Sequence, residues 1–168
     1  MKKWIKLSIV IILGLICILR IIMINQNNDV IVEHNIQLNQ KIKTADLDFV
    51  IRKANTSLTS DNINLTLEMY INQKKALPYN FHQPNFNFFE SMYFAIPYFT
   101  STQVVQIYDQ HGNKLRSEQL SKQGSQHVII QSNIAKSQIK KYSTSKQFIF
   151  IVPNQGHRLE KYILSLNE

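Results

Sequence analysis

Cysteine is almost absent from this sequence. The 168 residues include one, Cys17, so the chain cannot form an intrachain disulfide and must be stabilised by its core alone. The sequence also lacks the Gly-x-Ser-x-Gly and His-Glu-x-x-His motifs that mark two large classes of hydrolases. We therefore predict no enzymatic activity and no catalytic, cofactor or metal site. A glycosidase pair such as Glu68 and Glu90 stays open, because carboxylates of that kind come together only in the fold.

Acidic residues are also few. The chain has 11 of them against 19 lysines and arginines, which gives a formal net charge of +8 at pH 7. Four basic residues lie in or beside an N-terminal apolar segment: Lys2, Lys3, Lys6 and Arg20. The other 15 exceed the acidic residues by four. An excess of this size is typical of a solvated surface, and it also suits anionic lipid or an anionic wall polymer. We expect no nucleic acid partner.

The sequence contains one long apolar segment, residues 7–24. It has a single charge and thirteen Leu, Ile or Val side chains, and its helical length of about 27 Å matches the hydrocarbon core of a bilayer. Arg20 lies one turn from the outer end, where a guanidinium reaches the headgroups. The segment predicts one transmembrane helix. The residues that represent this membrane anchor are Trp4, Leu7, Ile11, Leu15, Arg20 and Ile24.

The flanks of this segment predict its orientation. Lysines precede it, whereas residues 25–40 contain no Lys or Arg. Because positive flanks stay cytoplasmic, we expect the N-terminus inside the plasma membrane and the C-terminal domain outside. The predicted organisation is a cytoplasmic tip and anchor over residues 1–25, a stalk and first strand over 26–45, and an ectodomain over 46–168.

Three alternatives to an anchor are a cleaved signal peptide, lipoprotein processing at Cys17 and a buried core helix. The apolar run is longer than that of a signal peptide, and it ends without a small residue to cleave after. Cys17 follows Ile16, whereas a lipoprotein needs a small residue before the modified cysteine. The basic entry and hydrophilic exit disfavour a buried helix.

Alternation of apolar and polar residues characterises the rest of the chain. It is clearest in Asn62–Gln73, where every second side chain is apolar, as in a half-buried strand. Shorter runs predict strands over 30–37, 46–53, 91–98, 103–108, 113–119, 127–131, 147–152 and 161–166. The connections include turns over 55–61 and 109–112, a long loop over 76–87 and a short helix or loop over 132–142. Many short strands with hardly any helix predict a mainly β fold, an antiparallel β-sandwich.

The order of four features carries a resemblance. A short strand over 47–51 precedes the long alternating strand 62–73. A strand with an acidic-x-x-Gly turn follows over 105–112, and a strand ending in Val-Pro covers 148–153. From about residue 40 onward this order resembles an immunoglobulin-like domain family of unknown function, found in secreted, lipid-anchored and membrane-anchored Gram-positive proteins. The resemblance implies an extracellular binding or structural module without a known active site.

Aromatic residues are concentrated in one segment. Nine of the seventeen fall within residues 79–99. They either fill the core or, in part, present exposed rings to a partner, a glycan or the outer leaflet. The partner-binding hypothesis comprises Tyr79, Phe81, Phe86, Phe88 and Phe89. A weaker hypothesis assigns anionic-polymer binding to Lys136, Lys140, Lys141 and Lys146, for which a solvated face is the alternative.

These observations predict a class of protein rather than a reaction. The leading hypothesis is a single-pass, membrane-anchored extracellular protein that binds or scaffolds in the envelope of a Gram-positive bacterium. Its partners would be the membrane and either another envelope protein or an anionic wall polymer. The alternative is a subunit of a multiprotein envelope machine for secretion, conjugation or pilus-like assembly, and an envelope hydrolase comes third.

Overall fold

The computed structural model of the protein describes residues 12–21, 23, 30–98, 100–104, 106–120, 122–138, 145–154 and 158–166. These residues include ten strands: β1 (Val30–Ile36), β2 (Lys41–Lys43), β3 (Leu47–Leu58), β4 (Asn62–Gln73), β5 (Met92–Ile96), β6 (Thr100–Gln103), β7 (Gln106–Tyr108), β8 (Gly124–Ala135), β9 (Gln147–Asn154) and β10 (Arg158–Ser165). In the same part of the chain, helical structure comprises residues 12–21 and 23, one turn at Ser117–Leu120 and three 3-10 turns, Tyr79–Phe81, Phe88–Ser91 and Lys136–Gln138.

The strands form two sheets of five strands each. The first has the order β1-β10-β9-β5-β6 and the second β2-β3-β4-β8-β7. Neighbouring strands are antiparallel except β1, which pairs in parallel with β10. The sheets pack face to face, with the rings of Phe49 and Phe150 meeting edge-on at 5.3 Å between centroids. The prediction of a mainly β, antiparallel-rich sandwich is confirmed. β1 and β2 precede residue 46, and both are hydrogen-bonded into these sheets.

Strand β4 lies at the centre of the second sheet, between β3 and β8. Its side chains alternate in burial as the sequence predicts. The buried set is Ile63, Leu65, Leu67, Met69 and Ile71. Full burial of one such side chain contributes about 1.5–3 kcal/mol. The inward face of β4 is therefore a principal source of stability.

Both neighbours of β4 extend beyond their predicted limits. β3 continues to Leu58, which shortens the turn predicted over 55–61 to residues 59–61. β8 contains the predicted strand 127–131 and also residues 132–135, for which a helix or loop was the prediction. β8 pairs with β4 over its full length, and β3 pairs with it from Ile63 to Gln73 with a bulge at Arg52. This pairing outweighs the weak local signal of their polar ends.

The segment 103–119 departs furthest from the prediction. The strand predicted over 103–108 is divided, because β6 belongs to the first sheet and β7 to the second. The prediction of a strand over 113–119 is wrong. One bridge joins Lys114 to Tyr108, and the one-turn helix follows. Leu120, at the end of that helix, is buried in the core, which requires the chain to leave the sheet here.

The N-terminal apolar segment is described in part. Residues 12–21 and 23 are helical, and their side chains are exposed. Leu15 and Arg20 lie within this helical stretch, whereas Trp4, Leu7, Ile11 and Ile24 lie outside the described residues. No helix formed by the described residues has both the length and the apolar character needed to cross a membrane.

The two ends of the sandwich carry different connections. At one end, Val30 lies opposite Arg158, and Arg158 opposite Asn154. The second sheet presents the start of β3 and the end of β4 at this same end, because a recess is lined jointly by residues 43–46 and 152–154. The long loop 74–91 and residues 109–123 therefore also lie here. We call this the Val30 end. The opposite end, which carries the β5–β6 turn with Tyr98, is the Tyr98 end.

Candidate functional site

Two of the five aromatic residues predicted to bind a partner belong to the core. Tyr79 and Phe88 have no exposed surface, so neither can contact a partner in the folded chain, and the prediction is corrected for both. The Tyr79 ring stacks on Phe150 at 6.4 Å between centroids, and its hydroxyl donates a 3.2 Å hydrogen bond to Gln73 Oε1. Burial raises the pKa of this phenol, which therefore remains a neutral donor.

The other three aromatic residues differ in exposure. Phe86 and Phe89 are half-buried, and Phe81 is 75% exposed. Asn80 and Phe81 both have positive φ, 51° and 62°, a backbone conformation that residues other than glycine seldom adopt. The loop thus directs the Phe81 ring outward, whereas the Tyr79 and Phe88 rings pack inward.

The predicted basic run does not form one exposed surface among the described residues. Lys136 is exposed. Lys146 is 7% exposed, so it is corrected from a surface residue to a buried one, and its carbonyl oxygen accepts a 2.8 Å hydrogen bond from the Leu166 backbone. Lys140 and Lys141 lie outside the described residues.

A different surface brings polar and aromatic side chains together on the outer face of the second sheet. Tyr70 of β4 lies opposite His127 of β8, and their rings stack with 4.0 Å between centroids and an interplanar angle of 9°. The Arg52 guanidinium lies 5.8 Å from the centre of the Tyr70 ring, within the range of a cation–π contact. Three planar groups from β3, β4 and β8 thus form a stack, which we call the Arg52 stack.

An acidic side chain fixes the far end of the Arg52 stack. His127 Nε2 lies 3.1 Å from Glu68 Oε1, and Lys53 Nζ lies 3.1 Å from the other carboxylate oxygen. The hydrogen bond from Lys53, with a smaller contribution from His127, lowers the pKa of the Glu68 carboxyl. Glu68 therefore carries its charge at neutral pH and holds the imidazole in place, with its face parallel to the Tyr70 ring.

An open groove of about 550 Å³ runs beside the Arg52 stack. Its volume lies within the about 300–1,000 Å³ typical of ligand sites. Besides the stack, hydrogen-bonding side chains line it on four neighbouring strands and one turn: Asn39, Lys41, Asp48, Asn72 and Ser125. The groove therefore offers both hydrogen-bond donors and acceptors on strands that are neighbours in the sheet.

The charges in this groove are not balanced. The Asp48 carboxylate is already paired with Lys74 Nζ at 2.8 Å. Arg52 donates one hydrogen bond, of 3.2 Å, to the neutral Asn39 Oδ1. Neither Lys41 nor Arg52 has a carboxylate within ion-pair distance among the residues that the structure describes. The groove therefore suits a polar ligand that carries negative charge.

Sequence reasoning missed this groove. The alternation in β3 and β4 placed Arg52 and Tyr70 on the polar face of each strand, which is the signal the sequence contains. It does not contain the register of β8 against β4, which brings His127 beside Tyr70. The stack becomes visible only when strands distant in sequence are aligned.

The carboxylates left open as a glycosidase pair have separate partners. Glu68 belongs to the outer face of β4 and binds Lys53 and His127. Glu90 belongs to the 3-10 turn at the Val30 end, where its Oε2 lies 3.0 Å from His82 Nδ1. They share no partner among these contacts.

A second polar recess, of about 270 Å³, opens between the sheets near β1. Inside it, His34 Nε2 is hydrogen-bonded to Glu160, and the His34 ring stacks on Tyr162 at 5.1 Å. The hydrogen bond from His34, supported by one from Asn154, holds the pKa of the Glu160 carboxyl below its ordinary value. These contacts join β1 to β10, so the side chains of the recess hold the edge strand β1 in the first sheet.

Comparison with known proteins shows a similarity of fold alone. No protein-family model matches the chain, and no curated protein matches it. Among solved structures, an uncharacterised β-sandwich protein from Clostridium difficile 630 is similar, with a TM-score of 0.50 and 13% identity over 81% of this chain and 95% of that chain. At this identity the likeness concerns architecture alone. The chain thus shares a β-sandwich fold with that protein.

Proposed function

We propose that this protein is a single-pass, membrane-anchored binding module of a bacterial cell envelope, with a cytoplasmic N-terminus, an extracellular sandwich and no catalytic activity. The apolar segment 7–24 and its basic flank support the anchor. The absence of cysteine beyond residue 17 and the abundance of Asn, Lys, Ile and Gln support a Gram-positive source. The sandwich fold agrees with the immunoglobulin-like family that the sequence resembles, to which we assign it as part of this proposal.

The ligand that we propose for the groove is an anionic wall polymer. The observation that carries this assignment is the pair of cations, Lys41 and Arg52, that face the groove without a carboxylate partner among the described residues. The Arg52 guanidinium is held by Asn39 and Tyr70, so little side-chain freedom is lost on binding. The amide and hydroxyl groups beside it can bind the hydroxyls of a polyol or sugar chain.

The experiment is sedimentation of the purified full-length chain in detergent with insoluble Gram-positive cell walls. Walls are used before and after chemical extraction of their anionic polymers. We expect binding to the unextracted walls and its loss after extraction. Arg52→Ala and Lys41→Ala should each weaken binding about tenfold or more, because a charge-assisted hydrogen bond contributes about 1.5–3 kcal/mol.

The matched control is Lys136→Ala, which removes one exposed lysine away from the groove and should leave binding unchanged. Arg52→Lys keeps the charge but not the planar fork, so partial binding is expected. Equal binding by wild type, Arg52→Ala and Lys41→Ala would reject the groove. Loss of binding with Lys136→Ala alone would assign the polymer to the basic run instead.

A subunit role in a multiprotein envelope assembly is the second candidate. One observation favours it: Ile31 of the edge strand β1 is 57% exposed, on a face that also carries the half-buried Ile149 and Ile151. Exposed apolar faces often contact other proteins. Under this alternative, Ile31→Lys abolishes cross-linking to another envelope protein in intact cells and leaves wall binding unchanged.

A further inference from the structure

We infer that the Val30 end of the sandwich rests on the outer leaflet of the membrane and that the Phe81 ring enters the lipid interface there. This inference rests on the proposed anchor and adds a second contact with lipid, made by the folded domain. It concerns the loop that the sequence singled out and that the groove does not use.

The stretch of chain between the apolar segment and β1 is short. From Ile24, the last residue of the apolar segment, to Val30, the first of β1, the backbone extends at most about 22 Å. The headgroup layer on one side of a bilayer is about 5–8 Å thick. The Val30 end is therefore held close to the headgroups, whereas the length of β4, about 40 Å, separates the two ends of an upright sandwich.

The Val30 end presents the loop that contains the exposed Phe81. Hydrogen bonds hold the backbone of this loop on both sides of Phe81. Leu77 and Asn85 exchange two backbone hydrogen bonds of 2.8 and 2.9 Å, and the Asn80 N–H donates to Ser91 Oγ at 3.1 Å. A ring fixed outward in a left-handed backbone conformation suggests a functional contact. An apolar side chain gains free energy when it leaves water for the lipid interface.

The exposed charged side chains of the Val30 end are mostly basic. Among the described residues of the Val30 end, outside the histidines, the exposed charged side chains are basic with one exception, Glu118. The basic set is Lys43, Lys75, Lys114, Arg116, Lys122 and Arg158. Basic residues near a membrane surface are attracted to anionic headgroups. The same end thus combines an apolar ring with an excess of basic side chains among its exposed charges, as interfacial contacts do.

The experiment uses tryptophan fluorescence in the full-length chain. Trp4, the single tryptophan, is replaced by Phe, and one new tryptophan is introduced as Phe81→Trp or, in the matched control, Tyr98→Trp. Tyr98 is fully exposed and also has positive φ, 66°, but lies at the opposite end. The chains are reconstituted into phosphatidylcholine–phosphatidylglycerol vesicles with and without brominated acyl chains.

We expect brominated lipid to quench the Phe81→Trp emission at least twofold and to leave the Tyr98→Trp emission unchanged. In the Phe81→Trp background, Lys75→Glu with Lys114→Glu should reduce the quenching. Flotation of the same vesicles distinguishes the possible failures. A chain that floats but shows no more quenching at 81 than at 98 overturns this inference and leaves the anchor intact. A chain that does not float overturns the anchor and this inference together.

Discussion

At the scale of single residues, Phe81 and Phe88 show that one loop directs its rings in opposite directions. They belong to the same aromatic cluster in the sequence, yet Phe88 has no exposed surface and Phe81 is 75% exposed. Local sequence cannot distinguish them, because neither lies in a strand with a regular period. Their exposure is determined by how the loop packs on the end of the sandwich.

This difference predicts opposite effects on stability. Phe88→Ala should reduce the free energy of unfolding by about 3–5 kcal/mol, because it leaves a cavity in the core. Phe81→Ala should change it by no more than about 0.5 kcal/mol. Urea unfolding followed by circular dichroism measures both. Equal losses for the two variants would contradict the assigned burial.

The Glu160 carboxyl predicts a dependence of stability on pH. Its pKa in the folded chain lies below the ordinary value of 4.5, first because of the hydrogen bond with His34. A depressed folded-state pKa stabilises the fold above the unfolded value, and the contribution is lost as the pH falls through the folded-state pKa. The difference in Tm between wild type and Glu160→Gln should therefore be larger at about pH 6 than at about pH 3. A difference independent of pH would exclude the ionisation of Glu160 as its source.

At the scale of secondary-structure elements, β4 was predictable and its partners were predictable only in part. Five apolar residues at strict alternation specify β4 from Asn62 to Gln73, with the observed limits. The polar ends of β3 and β8 have no such pattern and become strands because β4 offers them hydrogen-bonding partners. The same limit applies to the groove. Alternation within a strand predicts which of its side chains lie on the polar face, but not which side chains of other strands lie beside them.

Proline gave a misleading signal in β9. The sequence predicts that the strand ends before Pro153, but β9 continues to Asn154. β5 pairs with β9 only as far as Phe150. Beyond that residue β9 has one neighbour, β10, and a strand with a free edge tolerates proline. The position of a proline in the sheet, rather than its presence, decides whether the strand stops.

The central position of β4 predicts the order of amide exchange. Peptides from residues 62–73 should exchange most slowly, because both edges of β4 are paired along its length. Peptides from residues 100–108 should exchange faster, because β6 and β7 are short edge strands. Hydrogen exchange followed by mass spectrometry measures this order. Equal protection of the two segments would contradict the assigned topology.

At the scale of the whole molecule, the proposals assign different tasks to different surfaces. The Val30 end would face lipid, and the groove on the outer face of the second sheet would open sideways, where a wall polymer can enter. The sequence predicted the sandwich because strand periodicity follows from local residues. It could not predict which loops share an end, since that depends on the pairing of β1 with β10 and on the packing of the two sheets.

We propose that the sandwich lies outside a membrane to which the chain is anchored. Labelling of intact cells with a membrane-impermeant maleimide tests it most directly, using Tyr98→Cys in a Cys17→Ser background. Lys2→Cys is the control for the cytoplasmic side, and Phe88→Cys the control for a buried site. We expect Tyr98→Cys to react before lysis, Lys2→Cys to react only after lysis and Phe88→Cys not to react while the chain is folded. Labelling of Tyr98→Cys only after lysis would contradict the proposed topology.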